Sequence, residues 1–217
     1  MSKPRIGILG SGDVGQALGK GFCAEGHEVR MGSRDPGNEK VRAWVAANGA
    51  LASAGTFAEA AEFAEVAVLV TLWTGTENAL RLAGPERLAG KVVIDAVNPL
   101  AFKPNAPPEL AIGHTDSAGE QVQRWLPEAR VVKAFNIVGH AHMVHPQFPG
   151  GPPDMFICGN DAEAKRVVTG LLAAFGWPAI DIGGIEGARL LEPLCLLWVG
   201  YAMRYGSSNH AFKLLRR

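Results

Sequence analysis

The stretch "RIGILGSGDVGQALG" at residues 5–19 constrains this chain more than any other. A short apolar run, Ile6 to Leu9, enters Gly10-Ser11-Gly12-Asp13-Val14-Gly15, and a segment of helical character follows at once. A buried strand that stops at a glycine turn and restarts as a helix leaves the backbone few choices. Gly10 can take the tight turn, Gly12 leaves the main chain open to a close approach, and Gly15 lets helix and strand pack tightly. The helix start also carries unpaired N–H groups, which favour an anion. Glycine is common here, with 27 residues, so the G-x-G-x-x-G spacing alone is weak. Its position between a strand and a helix makes it a dinucleotide fingerprint, with a pyrophosphate expected at the helix start.

The rest of the chain continues the alternation. Strands are predicted at 5–10, 27–32, 50–52, 65–72, 91–97, 130–136, 154–160 and 178–183. Helices are predicted at 14–24, 38–47, 56–63, 76–84, 117–125 and 161–176, with a proline-rich loop over 98–110. Strands alternating with helices imply an α/β, Rossmann-type, mostly parallel sheet with helices on both faces. That pattern uses residues 1–183 as an NADP-binding domain. Residues 184–217 are too few for a separate substrate domain and read as a small helical C-terminal extension. Its apolar stretch "EGARLLEPLCLLWVGYAMRYG", interrupted by Pro193, is expected to close the cleft and to contact a second copy in a homodimer.

Composition narrows the function. The 217 residues are 47% hydrophobic and 19% charged, enough for a proper core, and 21 basic residues balance 21 acidic ones. Net charge therefore points to no nucleic-acid or membrane partner. The N-terminus lacks the apolar core of a signal peptide, and the longest apolar tract is too short to span a bilayer, so a cytoplasmic location is expected. Cys23, Cys158 and Cys195 are scattered and give neither a disulfide framework nor a zinc spacing. No metal is expected, and His140, His142 and His145 read as a solvated or proton-relaying loop.

The nucleotide preference is read from "VRMGSRDP" at 29–36. An NAD-preferring chain places a carboxylate after the second strand, where it grips the ribose. Here Ser33 and Arg34 stand at that point, a hydroxyl and a guanidinium suited to a 2′-phosphate. Asp35, followed by Pro36, reads as a turn former or a cap of the next helix. In an open parallel sheet the ligand crevice lies at the carboxyl ends of the strands. The residues there are Leu72-Trp73-Thr74, Val97-Asn98-Pro99 and Ala134-Phe135-Asn136, with no evident acid–base group. There is no Tyr-x-x-x-Lys either. Ketone reduction needs a proton donor, whereas hydride transfer between two flat rings needs mainly their alignment, and the residues favour the second.

Taken together, "IGILGSGDVGQALGKGF", "GHEVRMGSRDP", "VVKAFN", "CGNDAEAKRVV" and "DIGGIEGARLLEPL" resemble the NADPH-dependent oxidoreductases that reduce or oxidise coenzyme F420. The same signature is similar to the cytosolic reductase domain of the STEAP metalloreductases in "GSGD", "GSRDP" and "KAFN". The resemblance covers nearly the whole chain and implies a dimeric, NADP-binding Rossmann-type protein. By it, Gly10, Ser11, Gly12, Asp13 and Val14 would cradle the pyrophosphate, and Ser33 and Arg34 would hold the 2′-phosphate. Leu72, Trp73, Asn98 and Ala134 would line the cleft, with Phe135 and Asn136 beside the nicotinamide and Asn136 in an orienting role. Archaeal members of that family carry a histidine where Asn136 stands and a lysine near Asn38. Coenzyme F420 is the first candidate co-substrate and a flavin the second. A small imine or carbonyl reductase using a histidine of the 140–145 loop, and a sensor that binds NADP without turnover, are the alternatives.

Overall fold

The structure is a computed structural model and describes residues 3–104 and 106–217. In chain order it contains β1 (Ile6–Leu9), α1 (Asp13–Ala24), β2 (Val29–Gly32), α2 (Glu39–Asn48), β3 (Ala52–Gly55), α3 (Phe57–Phe63), β4 (Val66–Leu69) and α4 (Trp73–Ala83). There follow β5 (Val92–Asp95), β6 (Leu100–Ala101), β7 (Glu109–Leu110), α5 (Ala118–Trp125), β8 (Arg130–Lys133), β9 (Met155–Gly159), α6 (Ala162–Ala174), β10 (Ala179–Asp181) and α7 (Ala188–Tyr205). Eight strands form one sheet in the order β10-β9-β8-β5-β4-β1-β2-β3. Pairing is parallel throughout except between β8 and β9. This is the Rossmann-type, mostly parallel sheet that the alternation implied.

Register explains why the strands end together. Leu9 pairs with Gly32 on one side and Leu69 on the other, Leu69 pairs with Asp95, and Asp95 pairs with Lys133. Gly32 pairs in turn with Gly55, so six carboxyl ends share one edge, and the chain reverses direction across the sheet between β1 and β4, where a ligand crevice forms in such folds. Both sheet faces are covered, so the strands read as apolar runs without alternation. Ile6, Ile8, Met31 and Ile94 pack on one face with Phe22, Phe175 and Trp177. Leu9, Leu69, Val93 and Val131 pack on the other with Leu80 and Leu88. Helix α3 lies so close to β1 that a Cβ on Gly7 would stand 2.3 Å from the Ala60 carbonyl oxygen.

Four local expectations are corrected. The third strand is displaced from 50–52 to Ala52–Gly55, because Gly49 takes φ 69° and Gly49–Leu51 coil into a short 3-10 turn. Helix α4 begins at Trp73 rather than 76. The loop at 98–110 contains a small antiparallel ribbon, with Leu100 opposite Leu110 and Ala101 opposite Glu109, while Asn105 lies outside the described residues. Pro193 does not interrupt α7, which is continuous over 18 residues. The proline removes one main-chain donor, but Leu191, Glu192 and Cys195 on either side of it are buried and hold the helix in place.

The helical part of the C-terminal segment ends at Tyr205, and Gly206 turns the chain with φ 62°. The remaining residues run back as irregular chain. His210 O accepts from Trp198 Nε1 at 2.9 Å, and Phe212 O accepts from Asp154 N at 2.9 Å. Among the described residues no helix is long and apolar enough to cross a membrane.

Candidate functional site

The glycine turn behaves as its spacing requires. Gly10 has φ 137°, and a Cβ there would meet the Val70 carbonyl oxygen at 2.8 Å. A Cβ on Gly15 would stand 2.2 Å from the Gly10 carbonyl oxygen, so Gly15 is required for packing. A Cβ on Gly12 meets no protein atom within 4 Å. Gly12 is the N-cap of α1 and supplies no side-chain acceptor, so the first N–H groups of this 12-residue helix face outward without a cap. Asp13 follows at the first helical position, and its carboxylate pairs with Lys40 Nζ at 2.9 Å. That hydrogen bond and charge hold the Asp13 carboxyl below its ordinary range.

Across the crevice, the end of β2 presents Ser33 and Arg34. Ser33 is buried: its hydroxyl donates to the Asp35 carbonyl and accepts from Asp35 N, both at 3.2 Å, and it lies 3.4 Å from the Ser11 hydroxyl. Asp35 forms the turn, accepting from Gly37 N at 3.1 Å, while the cap of α2 is Asn38, which accepts from Val41 N at 3.0 Å. Arg34 is exposed and, among the described residues, has no ion-pair partner. A guanidinium is thus left uncommitted while the neighbouring carboxylate is folded into a turn.

The third strand edge differs more from expectation. Leu72 is 84% exposed, and the Trp73 ring stacks on Trp125 at 5.6 Å, joining α4 to α5. Ala134, expected to line the cleft, and Phe135, expected beside the nicotinamide, are wholly buried in the core. Phe135 takes φ 63°, its N–H meets Met155 Sδ at 3.2 Å and its ring packs 6.0 Å from Phe175. The left-handed turn sends the ring inward instead of toward the crevice. The polar groups that meet here are Asn98 and Asn136. Asn98 Nδ2 donates to the Asn136 carbonyl at 2.8 Å, and Asn136 Nδ2 donates to Asn98 Oδ1 and to the Leu191 carbonyl, each at 3.0 Å. These contacts fix the orientation of both amides. Asn136 Oδ1 is left buried with no hydrogen-bond partner among the described residues.

Directly beneath lies a cluster that the residue patterns did not disclose. Lys133 Nζ is 2.7 Å from Asp95 Oδ2 and 3.1 Å from Glu192 Oε1, and it donates to the Val97 carbonyl at 2.8 Å. All three side chains are 0–1% exposed. Glu192 also accepts from Ala118 N and Gly119 N at 3.0 Å, the first N–H groups of α5. Burial opposes the charge on Lys133, but the two carboxylates outweigh it and hold the ammonium above its ordinary range. The signal in the sequence was an opposite charge at the last position of each of two apolar strands, "VVID" and "RVVK".

The remaining candidates do not converge. His142 Nε2 meets Asn209 Oδ1 and His145 Nε2 meets Glu25 Oε1, each at 3.1 Å, and His140 is exposed. Among the described residues no group of three His, Cys, Asp or Glu could hold a metal ion. Burial pushes the Cys23 thiol up to about 11 and the Cys158 and Cys195 thiols up to about 12, so none is a thiolate nucleophile near neutrality.

These residues fit a phosphorylated dinucleotide: a helix start without a side-chain cap, an open approach at Gly12 and, just after β2, an exposed guanidinium with no ion-pair partner among the described residues. The comparisons agree. Residues 5–99 match the family described as NADP oxidoreductase, coenzyme F420-dependent. Over 196 residues the chain is 31% identical to the metalloreductase STEAP3 of Rattus norvegicus, covering 89% of this chain but only 37% of that longer protein. It is 30% identical over 220 residues to the F420-dependent NADP reductase of Methanothermobacter marburgensis, covering 97% of each. A solved structure from Arthrobacter sp. FB24, provisionally described as an F420-dependent NADP reductase, superposes with a TM-score of 0.93 at 38% identity, covering 99% of this chain and all of that one. The chain belongs to this family of NADP-dependent oxidoreductases.

Proposed function

We propose that the protein transfers a hydride between NADPH and a planar carrier, with coenzyme F420 as the first candidate and a flavin as the second. The observation that carries this reading is the strand edge beyond the glycine turn. It holds two neutral amides, Asn98 and Asn136, locked to each other, and the charged side chains beneath them, Lys133, Asp95 and Glu192, are sealed from water. Such an edge can fix a ring but offers no proton to an alkoxide, which suits transfer between two rings held face to face. NADPH supplies the hydride. The chain's own part is to anchor the 2′-phosphate at Ser33 and Arg34, to seat the pyrophosphate on the start of α1, and to orient the nicotinamide end at Asn98 and Asn136.

Mixing the protein with NADPH and, separately, with coenzyme F420, FMN and a cyclic imine, while following nicotinamide absorbance, tests the reading. Rapid NADPH loss with coenzyme F420 is the expected result, and loss with FMN alone moves the assignment to flavin reduction. Loss with the imine alone, or tight binding with no turnover in any cuvette, refutes the carrier-to-carrier reading.

The partner we propose is a second copy of the chain, docked through α7. Leu190, Leu197 and Tyr201 are 68, 61 and 49% exposed and recur at helical spacing along it. Replacing Leu197 with Lys should convert a dimer to a monomer in sedimentation velocity. A monomeric parent protein would remove the proposal.

A further inference from the structure

The proposed mechanism makes no use of the buried Lys133, Asp95 and Glu192, yet sealing three charged groups from water is costly, and an apolar trio of similar volume could be as stable. What the cluster touches indicates its role. Asp95 Oδ1 accepts from Val97 N at 2.9 Å and Lys133 donates to Val97 O at 2.8 Å, so both main-chain groups of the residue before Asn98 are held. Glu192, gripped by Lys133 and by the start of α5, is the residue after Leu191, whose carbonyl accepts from Asn136 Nδ2. Asn98 and Leu191 are the two partners of Asn136 Nδ2: Asn98 follows Val97, which the cluster holds by both main-chain groups, and Leu191 precedes Glu192, a member of the cluster. Burial holds the Glu192 carboxyl above its ordinary range, with Lys133 and the two N–H groups opposing that shift in part. Every hydrogen-bond partner of Glu192 is a donor, so its carboxylate form is the one this geometry satisfies.

We propose that Lys133, Asp95 and Glu192 are a positioning network that fixes the Asn98–Asn136 amide pair, so that docking of α7 and orientation of the nicotinamide end are set by the same buried contacts. This rests on the functional reading above, which places the nicotinamide at that edge. With the pair locked, Asn136 Oδ1 remains the acceptor without a donor among the described residues, and the cofactor's carboxamide carries N–H donors of the matching kind.

The test compares calorimetric binding of NADP+ with that of 2′,5′-ADP, which carries the 2′-phosphate but no nicotinamide. Glu192→Gln keeps the shape and one acceptor oxygen while removing the charge, and Lys133→Met removes the hub. Each should raise the Kd for NADP+ about tenfold and leave that for 2′,5′-ADP within about twofold. A purely structural role would weaken both ligands alike, and equal weakening, or none, overturns the proposal. Should Lys133→Met fail to fold, the Glu192→Gln protein decides alone. Asn136→Leu, measured alongside, separates the two levels of the argument. If it too spares NADP+, the nicotinamide does not lie at this edge and the functional reading fails with the network. If Asn136→Leu weakens NADP+ selectively and Glu192→Gln does not, only the network is overturned.

Discussion

A Gly12→Val protein should fold with an unchanged melting temperature and bind NADPH at least about 100-fold more weakly than the parent, the equivalent of losing one or two charge-assisted hydrogen bonds. The two halves of that expectation have separate causes. Gly12 has φ −73° and ψ −176°, extended backbone that valine adopts readily, and a Cβ there meets no protein atom within 4 Å. Nothing in the fold resists the side chain. The same side chain, however, stands over the uncapped start of α1, where a pyrophosphate would take the first N–H groups. Gly15→Val makes the contrast, since its Cβ would stand 2.2 Å from the Gly10 carbonyl oxygen and its cost falls on folding. Thermal melts with cofactor titrations distinguish the two glycines. Unimpaired binding by Gly12→Val would remove the pyrophosphate from this turn, and a melting temperature several degrees lower would show that the fold does resist the side chain.

The contrast between those glycines also marks what could be read without a structure. The turn at Gly10–Gly15 is legible because all its constraints are local: strand, turn and helix follow one another within ten residues. The same holds for α3, where Thr56 and Glu59 form a reciprocal capping box, and for the strands, whose apolar runs follow from burial on both faces. Local rules misled where tertiary contacts outweighed them. Pro193 should break a helix, but the buried residues around it carry α7 straight through. Phe135 follows a strand and was expected at the crevice, yet one left-handed residue turned it into the core. The Lys133 cluster was out of reach for a different reason. Asp95 and Lys133 are 38 residues apart, and they meet only because β5 and β8 are neighbours in register, a fact of topology that no spacing encodes. Glu192 arrives from α7, beyond the whole alternating pattern.

Arg34→Ala should raise the Kd for NADPH by roughly 30- to 100-fold and that for NADH by less than about threefold, consistent with about 2 to 3 kcal/mol for a guanidinium–phosphate fork. Three observations set the expectation. Arg34 is exposed with no ion-pair partner among the described residues, so its removal leaves no buried charge behind. Asp35, the next residue in the chain, commits an oxygen to Gly37 N at 3.1 Å and is held in the turn. Ser33 keeps its backbone anchor, accepting nothing from Arg34 and donating its N–H to the Gly55 carbonyl at 3.0 Å, so the end of β2 should survive the substitution unchanged. Because the guanidinium is solvent-facing, its attraction to a phosphate is screened by salt, and the parent's NADPH affinity should fall with ionic strength more steeply than the variant's. Arg34→Lys should recover only part of the loss, since an ammonium restores the charge but not the paired, planar donors. Parallel losses for NADPH and NADH, or a salt dependence equal in parent and variant, would place the 2′-phosphate elsewhere and leave Arg34 as an ordinary solvated side chain.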